Sequence, residues 1–177
     1  MAVCLVHINA QAIEIEYARA DVDKNRYIVE LELIIGASKN RVFSILTDYS
    51  NFHKLNDSFI ESALLKRIDD THNKIRLITE SCLLLFCFNA VFVYFIEEIE
   101  GTQMIAQIDT VMSDFNFGDA HINLEKSGNN QTRVHFYTVL QPSFWVPPFI
   151  GPWLLKPRIL EEVRETFERV EEFAQRS

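Results

Sequence analysis

Hydrophobic and polar positions alternate, or run apolar, in two early segments of the chain. The first segment covers residues 12–19, the second covers residues 26–35, and a polar break, Asp-Val-Asp-Lys-Asn, lies between them. A period of two places apolar side chains on one face of a strand, and a short polar break between two such runs is typical of a hairpin turn. The pattern therefore predicts an antiparallel β-hairpin near the start of the chain.

The hydrophobic spacing changes after Ser38, which is a residue type that caps helix N-termini. Four apolar residues then recur at the helical spacing of three to four: Val42, Ile45, Leu46 and Tyr49. This spacing predicts a short helix up to about Asp48, followed by a second short helix or turn over residues 50–56.

Residues 59–140 carry strand patterns only. Strands are predicted over residues 60–68, 74–87, 88–98, 103–111, 115–125 and 133–140. In the last two strands the inward positions are even-numbered, and directly opposed residues must share a face. Their numbers must therefore have an even sum, which requires a loop of odd length, and residues 127–130 favour a turn of three or five residues. The last two strands are predicted to be neighbours.

The C-terminal part of the chain differs from the rest. Residues 144–153 are rich in proline and aromatic residues, so they cannot lie in the middle of a sheet. After Pro157, one apolar stripe predicts a long amphipathic helix: Leu160, Val163, Phe167, Val170 and Ala174. Only the strands can cover this stripe, so the predicted fold class is α+β, with a curved antiparallel sheet of six to seven strands around the helix.

Composition and charge exclude several classes of protein. The net charge is −8 and the longest basic group is the pair Lys66-Arg67, so we expect no nucleic-acid partner. The longest apolar stretch, residues 83–96, is shorter than the roughly 20 residues of a membrane span and contains Asn89. No repeat or linker interrupts the chain, which predicts one soluble domain over residues 1–177, with a core of about 26–176 and an N-terminal strand extension over 1–25.

The N-terminus indicates a compartment only indirectly. It has no Lys or Arg and is too short to be a secretory signal as it stands, so we expect a cytoplasmic protein, or a periplasmic one if a signal peptide was removed. The three cysteines, Cys4, Cys82 and Cys87, are too few for a disulfide scaffold. Two buried thiols in an apolar strand are the favoured interpretation of Cys82 and Cys87, and a disulfide between them in an oxidising compartment stays open.

Motifs for metal, cofactor or nucleophile chemistry are not recognised. The histidines lack metal-ligand spacing, although one permitted loop length would place His121 opposite His135 on the outer face of the sheet. The sequence has no nucleophile elbow and no glycine-rich phosphate loop. Four positions are candidates for polar chemistry, and water-exposed strand ends or helix capping explain them equally well: Asp109, Asp114, Asp48-Tyr49 and His53. We therefore predict no catalytic residue, no metal and no cofactor.

The order of elements resembles the helix-grip fold of the START/Bet v 1-like (SRPBCC) superfamily. The first helix, from Ala37-Ser38 through Val42-Phe43-Ser44-Ile45-Leu46 to Thr47-Asp48-Tyr49, and the following Phe52 and Leu55-Asn56 resemble the polyketide cyclase/dehydrase and lipid-transport branch. Three further segments are similar to a bacterial subgroup of that branch: Glu80-Ser-Cys82 with Phe86-Cys87, Ser113-Asp114-Phe115, and Phe144-Trp145-Val146-Pro147-Pro148. The resemblance covers roughly residues 26–176.

The resemblance implies a cavity between the sheet and the long helix that holds a lipid, sterol, quinone or polyketide. Residues expected to line it by position are Phe43, Leu46 and Phe52 near the mouth, Ile122, Phe136 and Phe144 on the wall, and Trp153, Ile159, Val163 and Phe167 on the helix side. The same side chains would also suit a closed core, because a packed interior and a lined cavity use the same residue types.

Three functions follow as hypotheses. The first is non-enzymatic binding or transport of a hydrophobic small molecule. The second is a cyclase or dehydratase that uses the same cavity, and the third is a protein-binding adaptor whose cavity is closed. The aromatic segment 144–153 suggests transient membrane contact, or a lid over the end of the sheet. We expect a monomer or a weak dimer.

Overall fold

The computed structural model describes residues 13–83, 86–146 and 152–176. Its strands form one antiparallel sheet in the order β1-β2-β8-β7-β6-β5-β4-β3, which is eight strands rather than the six to seven predicted. The elements are β1 (Glu14–Asp23), β2 (Arg26–Ile35), α1 (Lys39–Leu46), a 3-10 helix (Phe52–Leu55), β3 (Phe59–Arg67), β4 (His72–Leu83), β5 (Phe86–Ile99), β6 (Gln103–Ile108), β7 (Phe115–Lys126), β8 (Thr132–Pro142) and α2 (Pro152–Gln175). The predicted α+β class, with a curved sheet and a long C-terminal helix, is confirmed.

The predicted N-terminal hairpin is present, and β1 continues to Asp23, four residues beyond the prediction. Asp23 pairs with Arg26, so only Lys24 and Asn25 form the turn. Their φ angles are 45° and 66°, and two consecutive left-handed residues give the turn that matches the right-handed twist of paired strands. The polar break therefore belongs mainly to the strand.

The turn between β4 and β5 lies elsewhere than predicted. β4 ends at Leu83 and β5 begins at Phe86, whereas the sequence pattern placed the boundary after residue 87. The reason is that residues 83–86 are Leu-Leu-Leu-Phe, without the Gly, Pro, Asn or Asp that mark a turn. In the observed register Cys82 lies opposite Cys87, and the two form a disulfide. Both residues are exposed, so the interpretation as buried thiols is wrong.

The register of β7 and β8 follows the even-numbered rule. Ile122 lies opposite Phe136, and Lys126 opposite Thr132, which leaves a five-residue loop. Gly128 and Asn130 of this loop have φ angles of 70° and 57°. The same register places His121 opposite Tyr137 and Asn123 opposite His135. The histidine pair would need the three-residue loop, so that alternative is wrong.

Both α-helices differ slightly from the predicted boundaries. α1 ends at Leu46, two residues before the prediction, and the Ser38 carbonyl, not its side chain, accepts hydrogen bonds from the first turn. α2 begins at Pro152 instead of after Pro157, which lies inside the helix. Proline fits the first position of a helix because its missing N–H is not needed there. The predicted second short element is the 3-10 helix, Phe52–Leu55.

The core lies between the C-terminal half of α2 and the concave face of the sheet. Phe167 and Val170 of α2 are 2% and 0% exposed, and they pack with Leu31, Leu33 and Val134. Side-chain hydrogen bonds fix the helix at two more places. Asn56 Nδ2 donates to the Glu162 carbonyl at 2.8 Å, and Glu171 Oε1 accepts from the backbone N–H of Gly36 at 2.6 Å. The helix is therefore held at Glu162, in its N-terminal half, as well as at Glu171 near its C-terminus.

Candidate functional site

The concave face is packed less tightly away from the C-terminal half of α2. Directly opposed residues share a face, and the pairs in β4–β8 place a set of apolar side chains on the concave side. These residues lie in the middle of the sheet and are only half-buried: Phe92, Tyr94, Ala106, Ile108, Ala120, Ile122 and Phe136. Ile159 and Val163, in the preceding turns of α2, are half-buried as well.

Five aromatic rings form a continuous row along this part of the sheet. Ring-centroid distances are 6.0 Å from Phe88 to Phe144, 6.2 Å from Phe144 to Phe115, 4.3 Å from Phe115 to Phe92, and 5.9 Å from Phe92 to Tyr94. These separations are those of directly interacting rings. The row leads from Phe88 and Phe144, which are 39% and 37% exposed, to Tyr94 in the middle of the sheet.

Tyr94 brings one polar group to this apolar surface. Its hydroxyl has no hydrogen-bond partner among the described residues, and burial raises the pKa of its phenol well above the usual range. Tyr49 is a contrast, because its hydroxyl donates to Glu98 Oε1 at 2.7 Å, and Asn73 Nδ2 donates to the same oxygen. A buried tyrosine hydroxyl normally has such a partner. Tyr94 therefore keeps a neutral hydroxyl that is free to donate to a molecule on the concave face.

The structure brings only some of the predicted lining residues together. Ile122 and Phe136 are opposed on the concave face, and the Phe136 ring lies 5.8 Å from that of Phe167. Val163 packs against the same core. The side chain of Trp153 lies outside the described part of the chain.

The residues expected near the mouth lie against α1 and the 3-10 helix. Leu46 is fully buried in the core, whereas Phe43 and Phe52 are half-buried against it. Phe52 also stacks on Phe59, with 5.8 Å between the ring centroids. These three side chains are therefore placed in or against the packed core and not along the aromatic row.

Sequence reasoning missed most of the aromatic row. Phe88, Phe92 and Tyr94 occupy alternate positions of β5, and Phe115 begins β7. The period of two in β5 was the available signal, but most odd positions of that strand are also apolar and conceal it. Among the row, only Phe144 was predicted.

The polar candidates from the sequence are engaged in local contacts. Asp109 accepts from Lys74 Nζ at 2.7 Å, and this ion pair holds the pKa of its carboxyl below the usual range. Asp114 accepts from the backbone N–H of Val91 at 2.8 Å. His53 Nδ1 lies 3.0 Å from Ser62 Oγ. Asp48 accepts from Asn51 Nδ2, and the hydroxyl of Tyr49 donates to Glu98.

A polar groove of about 370 Å³ lies on the convex face, where the end of β7 and the start of β8 line it with Asn123, Glu125, Arg133 and His135. Arg133 on its floor pairs with Glu32 at 2.6 Å, and also with Glu16. His135 lies 3.3 Å from Glu30. Because its charges are already paired within the protein, we interpret the groove as a solvated surface depression.

The described residues contain neither a metal-binding cluster nor a membrane-spanning helix. No group of three or more His, Cys, Asp or Glu side chains there is arranged to hold a metal ion. No helix in the described ranges has the length and hydropathy needed to cross a membrane.

Comparison with known proteins identifies the fold. No protein-family model matches the sequence, and no curated protein matches it significantly. Solved structures do match. A START superfamily protein from Mycobacterium smegmatis has a TM-score of 0.65 and 20% identity, over 82% of this chain and 97% of its own.

Two further solved structures are similar over most of their lengths. The STAR-related lipid transfer protein from Xanthomonas axonopodis has a TM-score of 0.64 and 14% identity, over 90% of this chain and 99% of its own. The Zhui aromatase/cyclase from Streptomyces sp. R1128 has a TM-score of 0.67 and 9% identity, over 85% and 95%. At such identities the likeness shows the fold and not the activity. The chain has the same fold as these solved structures, the helix-grip fold.

Proposed function

We propose that this protein binds or transports a hydrophobic small molecule, such as a lipid, sterol, quinone or polyketide-like compound, without changing it chemically. The ligand would lie between the concave face of the sheet and the N-terminal half of α2. The observation that supports this most directly is the aromatic row from Phe88 to Tyr94, which runs from an exposed end to half-buried apolar side chains in the middle of the sheet.

The packing of α2 favours a cavity at this position. A closed core would bury the middle of the concave face most completely, because that region is farthest from the edges of the sheet. Instead Phe92, Tyr94 and Ile122 are half-buried, whereas Leu33 and Val134, under the C-terminal half of the helix, are 0% exposed. Phe92, Tyr94 and Ile122 therefore keep accessible surface that Leu33 and Val134 lack, which supports a cavity over this part of the concave face.

Affinity in such a site would come mainly from burial of apolar surface. Each Å² removed from water contributes about 25 cal/mol before the cost of association, so a ligand that covers the row gains several kcal/mol. One hydrogen bond from the Tyr94 hydroxyl would fix the orientation of the ligand. We therefore expect an elongated or flat apolar ligand that carries a hydrogen-bond acceptor, such as a carbonyl or hydroxyl oxygen.

The alternative is a cyclase or dehydratase in the same cavity, since aromatase/cyclases are among the similar structures. That reaction needs an acid or base in reach of the ligand. Tyr94 is the described group best placed for this, and the raised pKa of its phenol makes it a hydrogen-bond donor and a weak acid, not a base. This favours binding over catalysis.

The experiment is native mass spectrometry of the purified protein, followed by organic extraction and analysis of the released compounds. We expect one hydrophobic molecule per chain, recovered unchanged after incubation. An empty protein that also fails to take up fluorescent fatty acids, sterols and quinones would contradict the proposal. Recovery of a cyclised or dehydrated product would establish the enzymatic alternative.

Two tyrosine variants test the binding mode. Tyr94→Phe removes the free hydroxyl and retains the ring, so we expect binding to weaken by up to about tenfold, as for the loss of one hydrogen bond. Tyr17→Phe is the matched control, because Tyr17 is exposed on the edge strand β1. Equal affinities of the two variants would remove Tyr94 from the proposed site.

A further inference from the structure

The ends of β4 and β5 project from the sheet as a two-stranded ribbon. β6 pairs with β5 only from Tyr94 onward, and β3 pairs with β4 only up to Thr79. Within the described residues, the segments 81–83 and 86–90 therefore pair only with each other. An isolated two-stranded ribbon is marginally stable in water, and the disulfide between Cys82 and Cys87 closes this one at its end.

The ribbon carries an exposed apolar surface together with the segment that follows β8. Three exposed residues form it, and we name them the rim patch: Phe88, Phe144 and Trp145. Phe88 and Phe144 are in ring contact, and Trp145 is 73% exposed. Exposed aromatic groups of this kind mark interaction sites on soluble proteins.

Backbone hydrogen bonds hold the two parts of the rim patch in place. The N–H of Ser143 donates to the Asp114 carbonyl at 3.0 Å, and the N–H of Asp114 donates to the Val91 carbonyl at 2.9 Å. The segment after β8 is thereby tied to β5, close to the ribbon. The rim patch is consequently a fixed surface, and it costs little ordering when it binds a partner.

We propose that the rim patch docks on the surface of a zwitterionic phospholipid bilayer. The proposal rests on the proposed function, because it names the bilayer as the place where the hydrophobic ligand is taken up or released. Phe88 and Phe144 belong both to the rim patch and to the aromatic row, so the docking surface is continuous with the path to Tyr94.

The area of the rim patch favours a bilayer over a protein partner. The exposed fractions of Phe88, Phe144 and Trp145 correspond to an area on the order of 300 Å². A stable protein interface buries about 800 Å² on each partner, which is well above this value. A few aromatic side chains at the water–lipid interface are sufficient for peripheral membrane contact, and tryptophan is enriched there.

Charge determines the kind of bilayer. The sequence contains no Asp, Glu, Lys or Arg from residue 81 to 96 or from residue 134 to 155, which are the segments that include the rim patch. The whole chain carries a net charge of −8, so an anionic bilayer would repel it. Contact with lipid would then depend on apolar burial, and a bilayer without net charge is the best partner.

The test uses phosphatidylcholine vesicles and the full chain with Trp153→Phe, which leaves Trp145 as the single tryptophan. We expect a blue shift of its emission when vesicles are added, and no stronger binding when one fifth of the lipid is phosphatidylglycerol. Phe88→Ser should weaken partitioning by about tenfold. The matched control is Phe95→Ser, on the same strand and 43% exposed, which should bind within twofold of the unsubstituted chain.

Several outcomes would overturn the proposal. These are no binding to phosphatidylcholine, binding that requires anionic lipid, or equal losses in the Phe88 and Phe95 variants. A concentration-dependent dimer in analytical ultracentrifugation that Phe88→Ser abolishes would assign the rim patch to a second copy of the chain. Uptake of a detergent-dispersed fluorescent fatty acid, sterol or quinone separates the two proposals. Uptake without vesicle binding refutes only the docking of the rim patch, and vesicle binding without uptake refutes only the proposed function.

Discussion

Glu171 is a buried carboxylate that acts both as a hydrogen-bond acceptor and as a buried charge, and substitution can separate these two effects. It is 6% exposed, and its Oε1 accepts the backbone N–H of Gly36 at 2.6 Å. A Cβ at position 36 would lie 2.9 Å from the same oxygen, so the glycine permits this close approach. Burial raises the pKa of the carboxyl, and the hydrogen bond from Gly36 opposes this shift in part. Glu171→Ala removes the acceptor and the charge, whereas Glu171→Gln removes only the charge.

The alanine variant should be clearly destabilised. It leaves the Gly36 N–H without its acceptor, which costs about 1–3 kcal/mol of unfolding free energy. For a chain of this length that corresponds to a fall in Tm of roughly 2–12 °C. The glutamine variant retains an acceptor oxygen and has no charge to desolvate, so at pH 7.5 its unfolding free energy should equal or exceed that of the wild type.

The contribution of Glu171 to the unfolding free energy depends on pH with a definite sign. The folded pKa of Glu171 lies above its ordinary value of 4.5, so protonation favours the folded state. The resulting stabilisation is fully present below pH 4.5 and is lost as the pH rises through the folded pKa. Urea unfolding of wild type and Glu171→Gln at pH 4.5, 5.5, 6.5 and 7.5 should therefore show the glutamine variant gaining on the wild type as the pH rises. A difference that is flat with pH, or a glutamine variant as unstable as the alanine one at pH 7.5, would refute this reasoning.

Three further substitutions address the sheet, the helix contact and the ribbon. Gly118→Ala would place a Cβ 2.2 Å from Cγ1 of Ile108, so we expect urea unfolding to show a loss of about 1–3 kcal/mol in unfolding free energy. An unchanged urea midpoint would show that the strands move apart easily. Asn56→Ala removes the side-chain amide that donates to the α2 backbone, so thermal unfolding should show a loss of stability comparable to that of Gly118→Ala. Asn56→Ser should recover little of this loss. Replacing both Cys82 and Cys87 by serine removes a disulfide that closes only a short loop, so the unfolding free energy should fall by at most about 2 kcal/mol. The diagnostic result is faster amide hydrogen exchange in residues 86–90 but not in β7.

Elements that face water on one side were predictable from the sequence. β7 and β8 alternate strictly because one face meets α2 and the other is solvated, and this fixed their register parity and limited the loop to three or five residues, of which the structure has five. The stripe of α2 was predictable for the same reason, since Phe167 and Val170 are buried and the intervening Glu and Arg side chains are solvated.

β5 could not be read in this way because several positions on its convex face are apolar as well, although Phe95 there is 43% exposed. Val93 points to the same side and is nevertheless 1% exposed, and the segment after β6 lies beside it. Ser113 Oγ from that segment bonds the backbone N–H of Val93 at 2.8 Å. Such a tertiary contact erases the period of two, and the apolar run that results concealed the turn after Leu83, the disulfide and the aromatic row.

The two halves of α2 have different tasks, and this links stability to binding. Its C-terminal half is held by Glu171, Phe167 and Val170, which are buried, whereas Ile159 and Val163 toward its N-terminus are half-buried. A ligand that follows the row can therefore enter without separating the buried contacts that stabilise the fold. Substitutions at Tyr94 should for this reason change affinity with little change in Tm, and substitutions at Glu171 should change Tm with little change in affinity. A Tyr94→Ala variant that lost the roughly 3–5 kcal/mol typical of an aromatic truncation in a packed interior would show that Tyr94 belongs to a closed core, and would count against the cavity itself.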